Sequence, residues 1–299
     1  GVLPMITSCS PGWIRFCEFY YPDFIPNLST CKSPHQMEGA IIKSYYAEKM
    51  GIDPSSIFTV SIMPCTSKKT EAAREQMVNE KGLRDVDVVL TTRELARMIR
   101  QAGIDYSHLP DEGPDKDLLG EYSGAAVIFG ATGGVMEAAL RTVADILEDD
   151  DLPAFEYTAV RGVAEDVKEA TLTLGGKEIR VAIAHSTAGA KKLLDAISSG
   201  QAPEYTFIEI MGCSGGCVCG GGQPQQSAQK LMDIDIRSER AKALYEEDVI
   251  MNIRKSHKNS DVSKLYHDYL GEPNGHLAHH LLHTKYCRRE IYPDSLVEE

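Results

Sequence analysis

Short apolar runs rich in β-branched residues punctuate the chain, and stretches with helical spacing of apolar positions separate them. The runs are Ile57–Met63, Val86–Leu90, Ala125–Phe129, Ile179–Ala184 and Tyr205–Ile210. Amphipathic patterns lie between them at about 36–50, 92–102, 134–148 and 187–199. Near-continuous apolar runs of this length suit strands buried on both faces. Their alternation with helices predicts α/β architecture with mostly parallel sheets flanked by helices. In such sheets chemistry gathers just beyond the carboxyl ends of the strands. The acidic stretch Glu148–Asp151, followed by Pro153, reads as a surface connection between two lobes of roughly 1–150 and 151–224. After Pro224 the strand signal stops, and 225–299 reads as a helical C-terminal segment wrapping the same body.

The chain has 299 residues, 42% hydrophobic and 25% charged, enough to bury a real core. Its 31 basic against 44 acidic residues leave a net charge of −13, which excludes nucleic acid or an anionic membrane surface as the main partner. No apolar run approaches the ~18 residues of a membrane-spanning helix. The chain opens Gly-Val-Leu-Pro, as a processed subunit or excised piece would, so a missing signal sequence says nothing about compartment.

Eight cysteines remain to explain, and a chain with this much core does not need disulfides. Cys9, Cys65, Cys213, Cys217 and Cys219 stand beside Pro or Gly near the ends of apolar runs, so their thiols are expected in a shared cleft at strand ends. Cys17, Cys31 and Cys287 lack that context and read as packing or surface thiols.

Three segments could carry chemistry. Thr7-Ser8-Cys9-Ser10-Pro11-Gly12-Trp13 suits a loop bending sharply around a ligand. In Met63-Pro64-Cys65-Thr66-Ser67-Lys68-Lys69-Thr70-Glu71 a strand ends at the thiol, and Lys68 could lower its pKa or donate to an anion. A plain Lys68–Glu71 pair on a helical turn is the alternative. In Glu209–Pro224 three thiols fall within seven residues among glycines, with C-x3-C spacing where zinc knuckles prefer C-x2-C. Thiolates plus the backbone N–H groups of a Gly-rich loop are what an iron–sulfur cluster needs.

Two further patterns read as structural. Phe129–Val135 fits neither dinucleotide nor P-loop spacing, so close packing around a turn is expected. His276, His279, His280 and His283 form one stripe of a helix without a Glu or Cys to complete a metal site, so a surface helix is expected.

With the three segments in view, the chain resembles the catalytic domain of the [FeFe]-hydrogenases, the iron-only hydrogenase family. That family's signatures are TSCCPxW, MPCxxKxxE and ExMxCxxGCxxGGGQP. Here they read TSCSPGW at 7–13, MPCTSKKTE at 63–71 and EIMGCSGGCVCGGGQP at 209–224, in the same order. The likeness continues through Leu90–Leu95, Gly130–Ala139 and Gly275–Tyr286, nearly the whole chain.

The resemblance implies two lobes around a central cleft holding an H-cluster, a [4Fe–4S] cube joined to a two-iron unit with CO, cyanide and azadithiolate. Carried over residue by residue, it makes Cys65, Cys213 and Cys217 ligands of the cube, with Cys217 the bridge to the two-iron unit. Cys9 becomes the proton-relay thiol, and Ser29 a hydroxyl on the proton path. Lys68 would donate to a cyanide, Met63 and Met211 would line the pocket, and Glu71 would pair with nearby cations. Cys219 falls at a variable position. The implied activity is reversible H2 oxidation and proton reduction, exchanging electrons with a ferredoxin-like carrier or with fused or associated iron–sulfur modules. A cytoplasmic location is expected ahead of a periplasmic one.

Two departures matter. The family's second adjacent cysteine, the fourth ligand of the cube, is Ser10 here. A serine oxygen is a harder and more basic donor than a thiolate. Ser10 as ligand, Cys9 as ligand with the relay sacrificed, and an engineered substitution all remain open. Family members also carry upstream residues that would have to come from another chain. The competing functions are a non-catalytic or sensory iron–sulfur relative with an altered ligand set, and a zinc- or cluster-stabilised interaction module. His35 sits near the site where relatives often have another polar residue.

Overall fold

The runs ending at His185 and Met211 become neighbouring parallel strands at the middle of a four-stranded sheet, because both their faces are apolar and both are covered. The computed structural model describes residues 2–113, 119–148 and 166–291. Its strands are β1 (Met5–Thr7), β2 (Val60–Met63), β3 (Val88–Thr91), β4 (Val167–Leu174), β5 (Lys177–His185) and β6 (Phe207–Met211). The larger sheet runs β1-β6-β5-β4, and β2 and β3 form a separate parallel pair. Only the β4–β5 hairpin is antiparallel among these pairings. Its turn uses Gly175 and Gly176, both at positive φ, as a two-residue hairpin requires. The mostly parallel α/β reading therefore holds.

The helices are α1 (Pro11–Tyr20), α2 (Pro34–Ile41), α3 (Ala47–Met50), α4 (Lys68–Ala72), α5 (Thr92–Gln101) and α6 (Gly124–Ile128). They continue with α7 (Gly134–Glu148), α8 (Ser186–Ser198), α9 (Ala228–Asp233), α10 (Ile236–Ile250), α11 (Ser260–Leu265) and α12 (His276–Leu282). One face of the large sheet packs Ile6, Ala182, Ala184, Ile208 and Ile210 against Trp13, Ile14 and Cys17 of α1 and Leu193 and Leu194 of α8. The other packs Leu172, Leu174, Val181 and Ile183 against Met136, Leu140 and Ala144 of α7. Each such Leu or Ile, fully buried, contributes about 1.5–3 kcal/mol.

One expected strand is corrected. Ala125–Phe129 is the helix α6, started by Ser123, whose Oγ accepts from the Ala126 N–H at 3.4 Å. A five-residue apolar run carries no period that separates a buried strand from a buried helical turn, and the Ser123-Gly124 start decides it. The connection read at Glu148–Pro153 falls largely on 149–165, outside the described residues. Beyond Pro224 the described residues form α9 to α12 and no strand. There α10 locks onto α6 and α7: Arg141 of α7 makes a two-pronged bond to Asp248 of α10 at 2.7 Å on each arm, and a further bond to Glu137. Among the described residues no helix is long and apolar enough to cross a membrane.

Candidate functional site

Three strands end at one place, and a cysteine follows each. Cys9 follows β1, Cys65 follows β2 and Cys213 follows β6. The register Thr7↔Glu209 between β1 and β6 brings the Cys9-Ser10 and Gly212-Cys213 segments side by side. The Gly-rich loop then folds back over β2: the Gly222 N–H donates to the Pro64 carbonyl at 2.7 Å. A Cβ on Gly220 would overlap that same carbonyl, so the loop reaches the segment carrying Cys65 only because it lacks side chains there. Cys9 Sγ stands 3.9 Å from Cys217 Sγ. Cys9, Cys65, Cys213, Cys217 and Cys219 are all free, partly buried thiols, whereas Cys17 is buried in the core and Cys31 and Cys287 are exposed.

The loop is fixed from several sides. Gly216 has φ +95°, and a Cβ there would lie 2.7 Å from the Gly130 oxygen and the Thr132 nitrogen. The Val218 N–H donates to the Gly130 carbonyl at 3.0 Å. Phe129–Val135 thus packs around a turn against this loop, as its spacing suggested. Arg93, Arg237 and Arg240 bind Gly221 O, Ser214 Oγ and Val218 O at 2.7, 3.0 and 2.9 Å. A chain of net charge −13 therefore concentrates positive charge around this loop.

The second motif forms a network on one carboxylate oxygen. Glu71 Oε2 accepts from Lys68 Nζ at 2.9 Å and from Ser33 Oγ at 3.0 Å, with His35 Nδ1 at 3.1 Å. His35 Nε2 lies 2.7 Å from Ser61 Oγ on β2. Lys68, Glu71, Ser33 and His35 are all buried. Glu71 is held below the usual carboxylate range: burial opposes its charge, but Lys68 and His35 outweigh it. The sequence singled out Lys68 and Glu71; Ser33 and Ser61 carried no signal, and His35 is explained only by this contact.

The packed thiols shift one another in both directions. Cys213 is raised by burial and then by Cys65 and Cys219. In the Cys9–Cys217 pair the hydrogen bond from Cys217 brings Cys9 down to about 7, against burial and with help from Lys68, while Cys217 is raised. Glu209, wholly buried in β6, accepts from the N–H groups of Gly133 and Met136 at 2.7 and 2.6 Å, at the start of α7. Burial nonetheless pushes its carboxyl up to about 7. It is a further buried group of the site's surroundings, marked in sequence by an acid inside an apolar strand and as the first residue of the third signature.

The remaining expected residues are spread more widely. Ser10 is buried at the start of α1 and makes no side-chain bond to that helix, unlike most serines in this position. Its Oγ lies against Gly212 instead, where a Cβ would overlap it. Ser29 stands beside β1, its N–H on the Ile6 carbonyl at 2.7 Å and its Oγ accepting from Cys31 N–H at 3.4 Å. Met211 is fully buried at the end of β6. Met63 packs with Ala72, Val86 and Val89 under the β2–β3 pair. The histidine stripe lies on the surface helix α12 and just beyond it, with His279 and His283 stacked at 4.3 Å.

The donors present fit an iron–sulfur group. Among the described residues no three His, Cys, Asp or Glu side chains converge closely enough to hold a single metal ion. The thiols are instead gathered at three strand ends under a glycine loop, where burial raises Cys213 and the hydrogen bond with Cys9 raises Cys217. An iron-bearing cluster would neutralise the thiolate charge as it displaces the protons.

Comparison with known proteins agrees with this donor set. A family model described as "Iron only hydrogenase large subunit, C-terminal domain" matches residues 1–221, and one described as "Iron hydrogenase small subunit" matches 234–289. Iron hydrogenase 1 of Clostridium pasteurianum is 49% identical over 288 residues, 96% of this chain and 49% of that protein. A cytosolic Fe–S cluster assembly factor of Xenopus tropicalis is 31% identical, covering 95% of this chain and 59% of that protein. The chain spans about half the length of the first of these relatives. Among solved structures, a variant of the [FeFe]-hydrogenase HydA1 from Chlamydomonas reinhardtii superposes with a TM-score of 0.82 at 40% identity, covering 97% of this chain and 77% of that one.

Proposed function

The chain belongs to the iron-only hydrogenase family, and from that premise we propose that it is the H-cluster-binding part of an enzyme interconverting H2 with protons and electrons. The observation that carries this reading is the meeting of Cys9, Cys65 and Cys213 at three strand ends, with Cys217 and the Lys68–Glu71 pair beside them. Cys65, Cys213 and Cys217 would hold the cube, and Cys217 would also bridge to the two-iron unit. When bound, this group supplies the electrons and the open metal position at which hydrogen is formed or split.

The chain's own residues do the rest. Cys9 Sγ, within reach of Cys217, takes up and releases the proton next to the reacting centre. Ser29, alongside β1, would pass it outward. Lys68 Nζ, held by Glu71, presents a fixed positive donor to an anionic ligand such as cyanide. Met211 and Met63 would shape an apolar wall, and the Gly221 N–H of the glycine loop is directed at the Cys213 thiol. Ser10 Oγ, turned toward Gly212 and making no bond to its helix, would act as the fourth ligand of the cube. A ferredoxin-like carrier or associated iron–sulfur modules would exchange the electrons.

Ser10 also supports a second reading, an iron–sulfur sensor or assembly protein that kept the scaffold, and assembly factors stand among the relatives. Hydrogen evolution from a reduced low-potential dye, after the cube and the two-iron unit are installed, decides between them. The enzyme reading expects turnover in the parent chain. A fully loaded chain that evolves none supports the second reading. The Ser10→Cys variant, compared by iron content and cluster EPR, then reports on the fourth ligand. Equal occupancy with altered EPR is expected if Ser10 ligates iron, and identical EPR contradicts ligation by Ser10.

A further inference from the structure

We propose that His35 is a positioning residue that sets the place of the Lys68 ammonium by holding the carboxylate to which Lys68 is bound. The inference rests on the hydrogenase reading only in naming cyanide as the group Lys68 faces; the coupling from His35 to Lys68 stands on geometry alone.

A carboxylate accepts and never donates, so the 3.1 Å contact to Glu71 requires the proton on His35 Nδ1. With Nδ1–H donating to Glu71, Nε2 is left facing Ser61 Oγ at 2.7 Å, a hydroxyl able to donate or accept there. The imidazole thus bridges β2 to α4. Gln36 Nε2 approaches the same Nδ1 at 3.3 Å but is itself a donor, so it does not replace Glu71 as the partner.

All three bonds to Glu71 end on one oxygen. Oε2 receives Lys68 Nζ at 2.9 Å, Ser33 Oγ at 3.0 Å and His35 Nδ1 at 3.1 Å. Ser33 and His35 flank Pro34 at the start of α2 and approach Oε2 from outside α4. Lys68 lies one turn before Glu71 within α4, so its ammonium is pulled toward wherever the carboxylate is pinned. These groups are 5–7% exposed, which leaves little water to take over a lost bond. Lys68 in turn acts electrostatically on Cys9 and Cys217. Removing the imidazole lets the Glu71 carboxylate rotate, and the ammonium moves with it. An amide at position 35 can still donate to Oε2.

The test has two arms. In the unloaded chain, the 15N resonance of the Lys68 ammonium is followed in the parent, His35→Ala, His35→Gln and Ser61→Ala. The proposal expects a shifted, faster-exchanging signal in His35→Ala, a near-parental one in His35→Gln and an intermediate one in Ser61→Ala. Should His35→Ala not fold, the other two variants carry the same comparison. An unchanged Lys68 signal in every folded variant overturns the proposal, even if thermal stability falls. In the loaded chain, His35→Ala is expected to move a cyanide stretching band and lower turnover roughly tenfold at unchanged iron content, with His35→Gln restoring both. Coupling in the first arm without cyanide bands in the loaded parent would leave the positioning intact and sink the hydrogenase reading. Cyanide bands that ignore His35 while the Lys68 signal responds would show that Lys68 does not face that ligand and overturn that part of the proposal.

Discussion

Single residues near the thiols are under opposing demands, and Glu209 shows this best. Its two oxygens satisfy N–H groups at the start of α7, which favours the carboxylate, while burial favours the acid and wins, raising it to about 7. A carboxyl raised in the folded state stabilises the fold fully below its ordinary value of 4.5, and that contribution is lost as pH rises through about 7. In urea titrations of the unloaded chain, the stability difference between parent and Glu209→Gln should therefore fall with rising pH across this window, by up to about 1.4 kcal/mol per pH unit. A flat difference contradicts the raised value. Gly216 is constrained in another way, by a positive φ and by the Gly130–Thr132 backbone against it. Gly216→Ala should cost on the order of 1–3 kcal/mol and reduce iron retained after reconstitution, measured by urea unfolding and metal analysis. Of these residues, the cysteines were legible from their unusual spacing, and Lys68 and Glu71 from the resemblance. The sequence put His35 near the site without a role, and Ser33 and Ser61 gave no signal, since the three come together only when α2 lies across β2 and α4.

At the level of elements, the strands and helices that carry long periodic patterns were readable, and short ones were not. Residues 92–102 and 134–148 match α5 and α7 within a residue, the former closed by the Thr91–Glu94 capping box. The start of α1 was read as a turn because Pro11-Gly12 suggests one. Pro at the first helical position after Ser10 instead begins a helix, and Trp13, Ile14 and Cys17 then share its buried face. Both β1, three residues long, and β4, whose exposed positions dilute its pattern, gave too little apolar signal. The C-terminal helices have their own anchor in Asp248, which is buried and held below the usual carboxylate range: burial opposes its charge, but Arg141 and Arg254 outweigh it. Replacing it removes the two-pronged carboxylate partner of the buried Arg141 guanidinium, which keeps its bond to Glu137. Asp248→Ala should destabilise the chain by about 3–5 kcal/mol in thermal or urea unfolding, against a change near zero for a surface pair such as Lys242–Glu246.

Across the whole molecule, the topology explains why motifs more than a hundred residues apart form one site. Strand β1 enters the sheet beside β6, the last strand among the described residues, so the first and third motifs meet by register. The glycine loop then reaches across to the second motif at Pro64. The chain has a net charge of −13, yet Lys68 acts on Cys9 and Cys217 and Arg93, Arg237 and Arg240 bind the glycine loop, which suits a group with anionic ligands. The proposed function requires this site to hold a two-iron unit with CO and cyanide ligands as well as the cube. The most direct test is the infrared spectrum of the parent chain after reconstitution with both components and removal of unbound complex. The account predicts CO and cyanide stretching bands that stay with the protein and are lost when Cys217 is replaced by Ala. Bound iron and sulfide with no such bands would contradict it.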